Sequence, residues 1–206
     1  MPKGKLCVIE GIDGAGGETQ SKLLKEFLEK KNFKVELIKY PDYEGPIGNL
    51  IHEFLHDKYE FSPEVQFLLY ATDMVKDIKR IENAKRNLKV VIADRYVTST
   101  LSYQTLKGFP LESGLKFIKI FGLPKPDIII FLDVSPKTSI KRKYNEKRSL
   151  DRHERDGEFL GKVRESYMNL IKKKILGEWV IIDGEKSIEE VAKEIQKIVL
   201  SKLSEP

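Results

Sequence analysis

Leu6-Cys7-Val8-Ile9-Glu10-Gly11-Ile12-Asp13-Gly14-Ala15-Gly16-Gly17-Glu18-Thr19-Gln20 is the stretch on which the reading of this chain turns. It opens on an apolar, β-branched run from Leu6 to Glu10. It leads into Leu23, Leu24, Phe27 and Leu28, a stripe at helical spacing. Between the two lies a glycine-rich turn. Strand, glycine turn and helix N-terminus together suit phosphate: glycines let successive N–H groups converge, and the helix dipole adds positive potential at the same point. The pattern G-x-x-x-x-G-K-[ST] is met at Gly11 and Gly16, but Gly17 stands where the lysine belongs and Glu18 where the hydroxyl residue belongs. Taken alone, the loop also admits the reading of a glycine turn without a ligand.

Four more short apolar runs follow: Val35–Tyr40, Val90–Ala93, Asp127–Leu132 and Trp179–Ile182. They are nearly continuous in hydrophobicity and separated by helical patterns, which predicts a parallel sheet of about five strands buried on both faces. One helical stripe comprises Ile47, Leu50, Ile51, Phe54 and Leu55, and another comprises Phe67, Leu68, Tyr70, Ala71, Met74 and Ile78. Ser187 caps a last helix with Ile188, Val191, Ile195 and Val199 facing inward. Trp179 reads as core, and Tyr144 and Tyr167 as packing residues. The alternation predicts a three-layer α/β fold with right-handed crossovers, in a single domain spanning 1–206. The stretch from Lys137 to Arg155 is dense in charge and predicts a basic lid near 141–156.

Composition narrows the function classes. The 206 residues, 40% of them hydrophobic, suffice for a core, and no apolar run approaches the roughly 20 residues of a membrane span. The N-terminus lacks a secretory h-region, and the sole cysteine, Cys7, excludes an intramolecular disulfide, so a cytoplasmic setting is expected. The formal charge of +5 suits a small anionic substrate as well as nucleic acid. The lysines are dispersed, as on a solvated surface, whereas five of the eight arginines lie between Arg142 and Arg164. Lys172-Lys173-Lys174 reads as a solvated helix end, and neither a nucleic-acid nor a membrane partner is expected.

Val91-Ile92-Ala93 runs into Asp94-Arg95-Tyr96-Val97-Thr98-Ser99-Thr100-Leu101-Ser102-Tyr103-Gln104. An Asp-Arg pair at the carboxyl end of a parallel strand sits where open α/β sheets bind ligands. Arg95 can grip a phosphate with its planar fork, and Asp94 can hold metal-bound water or orient Arg95. The bland alternative is a simple ion pair at a strand end.

With these motifs in order, the chain resembles the thymidylate kinases, P-loop nucleoside monophosphate kinases. The matching features are Asp13-Gly14-Ala15-Gly16 with Thr19 and Gln20, Asp94-Arg95-Tyr96 with Ser99, Tyr103 and Gln104, Pro126–Pro136, and the lid-like Leu150-Asp151-Arg152-His153-Glu154. The resemblance implies ATP-dependent phosphorylation of dTMP to dTDP with Mg²⁺, by a homodimer packed through helices. It implies that Gly11, Asp13, Gly14, Ala15, Gly16, Gly17, Glu18, Thr19 and Gln20 hold ATP, with Arg142 against the adenine. It further implies that Asp13, Tyr40, Pro41, Tyr70, Met74, Arg95, Ser99, Thr100, Tyr103 and Gln104 line the acceptor site. In that site Tyr70 stacks on the base and Tyr103 crowds the ribose 2′ position. Arg95 and Asp94 act in catalysis together with Arg148 and Arg152 of the lid, and Asp94, Glu18 or Thr19 meets the metal.

Three departures bear on this expectation. Gly17 removes the loop cation, Met74 stands where the family has a base-contacting arginine, and no arginine lies near Tyr43. A slow enzyme, or one relaxed in base choice, is therefore expected, with a nucleotide-binding, catalytically impaired relative as the alternative. A remote alternative is zinc peptidase chemistry from His52-Glu53-Phe54-Leu55-His56, which spells H-E-x-x-H but lacks a placed third ligand.

Overall fold

The structure, a computed structural model, describes residues 4–145, 153 and 156–205. Its centre is β1 (Leu6–Gly11), buried along its whole length. Around it stand β2 (Val35–Lys39), β3 (Val90–Asp94), β4 (Ile128–Asp133) and β5 (Trp179–Asp183), all parallel, in the order β2-β3-β1-β4-β5. The register pairs Ile9 with Asp94, Gly11 with Leu132 and Lys39 with Asp94, so the carboxyl ends of β1, β2 and β3 share one edge.

Alternate side chains of β1 enter the two core layers. Cys7 and Ile9 pack with Leu24 and Leu28 of α1 (Gly17–Lys30), Val163 of α8 (Gly157–Lys172) and Ile195 of α9 (Ile188–Ser204). Leu6 and Val8 pack on the other face with Phe67 and Ala71 of α3 (Pro63–Val75), Ile81 of α4 (Ile78–Arg86), Leu101 of α5 (Val97–Leu106) and Ile118 of α6 (Leu111–Phe121). Burial pushes the Cys7 thiol up to about 12, which makes it a packing residue and not a reactive thiol. α2 (Pro46–Leu55) adds a small cluster of Ile51, Phe54 and Leu55, and α7 (Pro136–Asn145) follows β4.

Burial on both faces holds for β1, β3 and β4 but not for the edges: β2 and β5 are half-covered, and Ile181 is exposed. An edge strand has one neighbour, so its outer flank meets solvent. Trp179, expected in the core, is partly buried on β5, where its indole N–H donates to Ile175 O at 2.8 Å. The stripe through Ile78 is two helices, α3 and α4, divided at Lys76–Asp77, and Leu68 faces outward. Ser187 and Glu190 form the expected cap, each donating backbone N–H to the other's side chain, but Ile188 is exposed. Tyr144 is also exposed, unlike the packed Tyr167. Lys141–Asn145 of the expected lid are the end of α7; most of the remainder, including Arg148 and Arg152, lies outside the described residues.

Candidate active site

The loop between β1 and α1 bends at Gly14 (φ 78°) and Gly16 (φ 96°), a conformation that glycine adopts without strain. A Cβ on Gly14 would come within 2.7 Å of Ser139 O, so glycine is needed there for space as well. Ser139 Oγ donates to Asp13 O and ties the loop to α7. Arg142 donates to Ala15 O at 3.3 Å and to Gly184 O at 2.7 Å, which places its guanidinium between the loop and the end of β5.

Two recesses open at the carboxyl edge. The larger, about 1880 Å³ including open solvent, is lined by Gly11 through Thr19 together with Lys22, Lys39, Asp94 and Arg95. The smaller, about 550 Å³, is lined by Tyr70, Met74, Ser99, Thr100, Tyr103 and Gln104, with Leu55 and His153. Asp13, Tyr40, Pro41, Tyr43 and Arg95 border both, so this is where the recesses meet.

Arg95 is the hinge of the site. It follows β3 with φ 66°, a left-handed conformation that a non-glycine residue holds only when its surroundings enforce it. Its guanidinium donates to Asp13 Oδ1 at 2.6 Å, Gly11 O at 2.9 Å and Ser99 Oγ at 3.3 Å. Tyr103 OH donates to Asp13 Oδ2 at 2.7 Å, so each carboxylate oxygen accepts one bond and keeps a lone pair for another. Burial alone would raise the Asp13 carboxyl; Arg95, His153 and the Tyr103 hydroxyl more than reverse this and hold it below its ordinary range.

Beneath Arg95 lies a residue that sequence reading missed. Glu10 is buried in β1, and its carboxylate accepts from Tyr96 N at 3.0 Å, Ser99 Oγ at 2.5 Å, Tyr167 OH at 2.8 Å and Thr98 Oγ1. These donors fix the residue after Arg95 and the first turn of α5, and through them the arginine. Burial pushes the Glu10 carboxyl up despite the four donors. His153 was likewise missed. It reaches the acceptor recess, its ring 5.5 Å from that of Tyr103, and its Nε2 lies 2.8 Å from Lys107 Nζ.

Most of the sequence-nominated residues converge here. Gln20 does not: its Nε2 donates to Ile188 O at 3.0 Å, so it joins α1 to the start of α9. Glu18 lies in the first turn of α1 between Lys22 Nζ at 2.7 Å and Lys39 Nζ at 2.5 Å, which hold its pKa down to about 2. Of the metal candidates, Asp94 and Thr19 would offer hard oxygen donors to Mg²⁺. Asp94 is buried and its carboxyl is pushed up, chiefly by that burial, so a cation beside it would relieve the cost of its charge. Among the described residues no group of three His, Cys, Asp or Glu could hold a metal ion. His52 and His56 stack on each other with ring centroids 4.0 Å apart, and Glu53 pairs with Lys58.

A glycine loop at the end of the central strand, joined through one arginine to a second recess, on a parallel sheet of this order, defines a P-loop nucleoside monophosphate kinase. The family model described as thymidylate kinase matches residues 9–195, and the chain belongs to that family. A thymidylate kinase from Thermoanaerobacter sp. (strain X514) is 34% identical over 96% of this chain and 98% of its own length. A probable thymidylate kinase from Methanococcus aeolicus is 38% identical over 96% and 97%. A solved thymidylate kinase structure from Candida albicans shares the fold with a TM-score of 0.76 at 24% identity, covering 97% of this chain and 92% of that one.

Proposed function

We propose that this enzyme transfers the γ-phosphoryl group of ATP to dTMP, giving dTDP. The observation that carries this reading is that both recesses border Asp13 and Arg95, so a donor phosphate over the loop and an acceptor phosphate from the smaller recess would meet at one guanidinium. Phosphoryl transfer needs positioning and charge neutralisation more than covalent chemistry. In this reading Arg95 holds the acceptor phosphate, Asp13 takes the 3′-hydroxyl, and Tyr70 stacks on the base. The loop amides hold the donor, and Asp94 with Thr19 would hold Mg²⁺, which when bound neutralises phosphate charge. Arg148 and Arg152 are proposed to add charge at the transferring group. The exposed apolar Val65 and Leu68 on α3, with Ile120 and Phe121 on α6, support a homodimer packed through these helices. A coupled assay with ATP and a panel of monophosphates tests the reading. Transfer to dTMP is the expected result; transfer to none would leave a nucleotide-binding protein without this activity.

Sugar choice is expected to rest on Tyr103, fixed by its bond to Asp13 and buried under Arg95. A 2′-hydroxyl would meet its ring. Efficiency is expected to favour dTMP over UMP, and dUMP over UMP by at least about tenfold, roughly 1.4 kcal/mol. Equal kcat/KM for dUMP and UMP would refute the role of Tyr103.

Base recognition is expected to rest on Gln104, whose Oε1 and Nε2 are both buried without a hydrogen-bond partner among the described residues. An amide pairs with a pyrimidine edge that offers one donor and one acceptor, and it can flip to serve either order, so base choice is relaxed. Unpaired buried polar atoms cost stability, so Gln104→Leu is expected to leave Tm unchanged or raise it. The same change loses two hydrogen bonds of about 1 kcal/mol each, so KM for dTMP is expected to rise roughly tenfold or more. A fall in Tm with unchanged KM would show that Gln104 serves the core instead.

A further inference from the structure

The loop lacks its lysine, yet the cleft above it does not lack cations. We infer that Lys39, at the end of β2, supplies the donor polyphosphate with the positive charge that Gly17 cannot. This rests on the reading of the loop as a donor-phosphate site.

A side chain at position 17 would meet one neighbour, the carboxylate of Asp94. A Cβ there would lie 2.7 Å from Asp94 Oδ1, so a lysine at 17 requires the Asp94 carboxylate to move. Lys39 is paired in register with that same Asp94 across β2 and β3. From the strand end its side chain reaches the first turn of α1, where Nζ meets Glu18 Oε2 at 2.5 Å. Residue 18 is the position at which the phosphate-loop pattern places its hydroxyl residue, so the ammonium is held at the start of α1, where the loop ends. Lys39, Glu18, Lys22 and residues 11–17 line one cleft.

Three other cations near the loop are less suited, and Lys143 of α7 borders the same cleft. Arg95 borders both recesses and is assigned to the acceptor phosphate, and Arg142 donates to Ala15 O and Gly184 O. Lys22 occupies the second oxygen of Glu18, but it lies one helical turn further along α1 and its side chain is more exposed, 61% against 46% for Lys39. Lys39, Lys22 and Glu18 together carry a net charge of +1, the charge that a single loop lysine would bring. Glu18 holds both ammonium groups at the cleft, and a polyphosphate entering there offers Lys39 a more highly charged partner than one carboxylate. Lys39 borders the donor cleft and is absent from the lining of the acceptor recess, so its loss affects the two substrates unequally.

The test uses the whole chain with Lys39→Met and Lys39→Arg, and titrations of inorganic tripolyphosphate without metal, of ATP and of dTMP, followed by calorimetry. For Lys39→Met, affinity for tripolyphosphate and ATP is expected to fall at least about tenfold, and dTMP affinity to stay within about twofold. Turnover at saturating dTMP is expected to fall at least about tenfold, and Lys39→Arg to restore most of the binding. Unchanged tripolyphosphate affinity in Lys39→Met, whether or not Tm falls, would overturn the inference, because a lysine serving only to pair Glu18 predicts that result. An equal fall in tripolyphosphate and dTMP affinity would also overturn it. A wild type that transfers nothing to dTMP but loses tripolyphosphate binding on Lys39→Met would support the role of Lys39 and reject the acceptor reading. A wild type that phosphorylates dTMP with an indifferent Lys39→Met would do the reverse.

Discussion

Arg95→Ala is expected to lower kcat/KM for dTMP by at least about a hundredfold, roughly 2.7 kcal/mol, with the fold retained. Arg95 stands where the two recesses meet, and its fork is the group best placed to neutralise an acceptor phosphate. Each charged hydrogen bond lost contributes about 1.5–3 kcal/mol, and a guanidinium makes two to one phosphate. The variant also strips Asp13 of its ion-pair partner. Because the folded Asp13 carboxyl is held below its ordinary value, that pairing contributes stability at neutral pH, which is lost as pH falls through the depressed pKa. The Tm difference between wild type and Arg95→Ala is therefore expected at pH 7 and to shrink in acid. Circular dichroism separates folding from activity, and near-wild-type turnover in a folded Arg95→Ala would remove Arg95 from the reaction.

Glu10→Ala is expected to damage both stability and activity. It leaves the Tyr96 N–H without its acceptor and opens a void among Thr98, Ser99 and Tyr167. An orphaned buried donor costs about 1–3 kcal/mol and the cavity adds to it, so a loss of about 3 kcal/mol is expected. In a domain of this size that lowers Tm by roughly 6–12 °C. Turnover is expected to fall at least about tenfold even below the new Tm, because Arg95 loses the scaffold that enforces its left-handed backbone. Glu10→Gln separates charge from shape. The folded Glu10 carboxyl is raised above its ordinary value of 4.5, so its contribution to stability is full below that value and declines as pH rises through the folded pKa. An amide has no such decline. Measured by thermal unfolding, the Tm of Glu10→Gln relative to wild type is expected to rise as pH increases above 4.5. A pH-independent difference would show that Glu10 folds without a raised pKa.

Much of this molecule is written locally. The interior strands are short, nearly continuous apolar runs, and Ser187 caps α9 with Glu190 as its spacing requires. Gly11 and Gly16 mark the loop, and Asp94-Arg95 ends an apolar run, so the elements follow from periodicity and turn chemistry, whereas the roles of the site residues came from the family resemblance that these motifs carry in order. What periodicity does not encode is which element ends meet. Glu10 lies at the end of an apolar run, and its donors come from α5 and α8, as far as 157 residues away. Gln20 looks like part of the loop, but burial of the α1 stripe turns it to Ile188. The stripe through Ile78 breaks at Lys76–Asp77, and Ile188, Leu68 and Tyr144 are exposed because nothing in the described structure covers them. Lys39 is an ordinary strand-end lysine in sequence. Only the order β2-β3-β1 brings its ammonium across one strand to Glu18, beside the glycine that replaced the loop's own cation. Local pattern determined the elements, because side-chain spacing is a property of one segment. Sheet order and close packing decided the site, because they alone fix distances between segments remote in the chain.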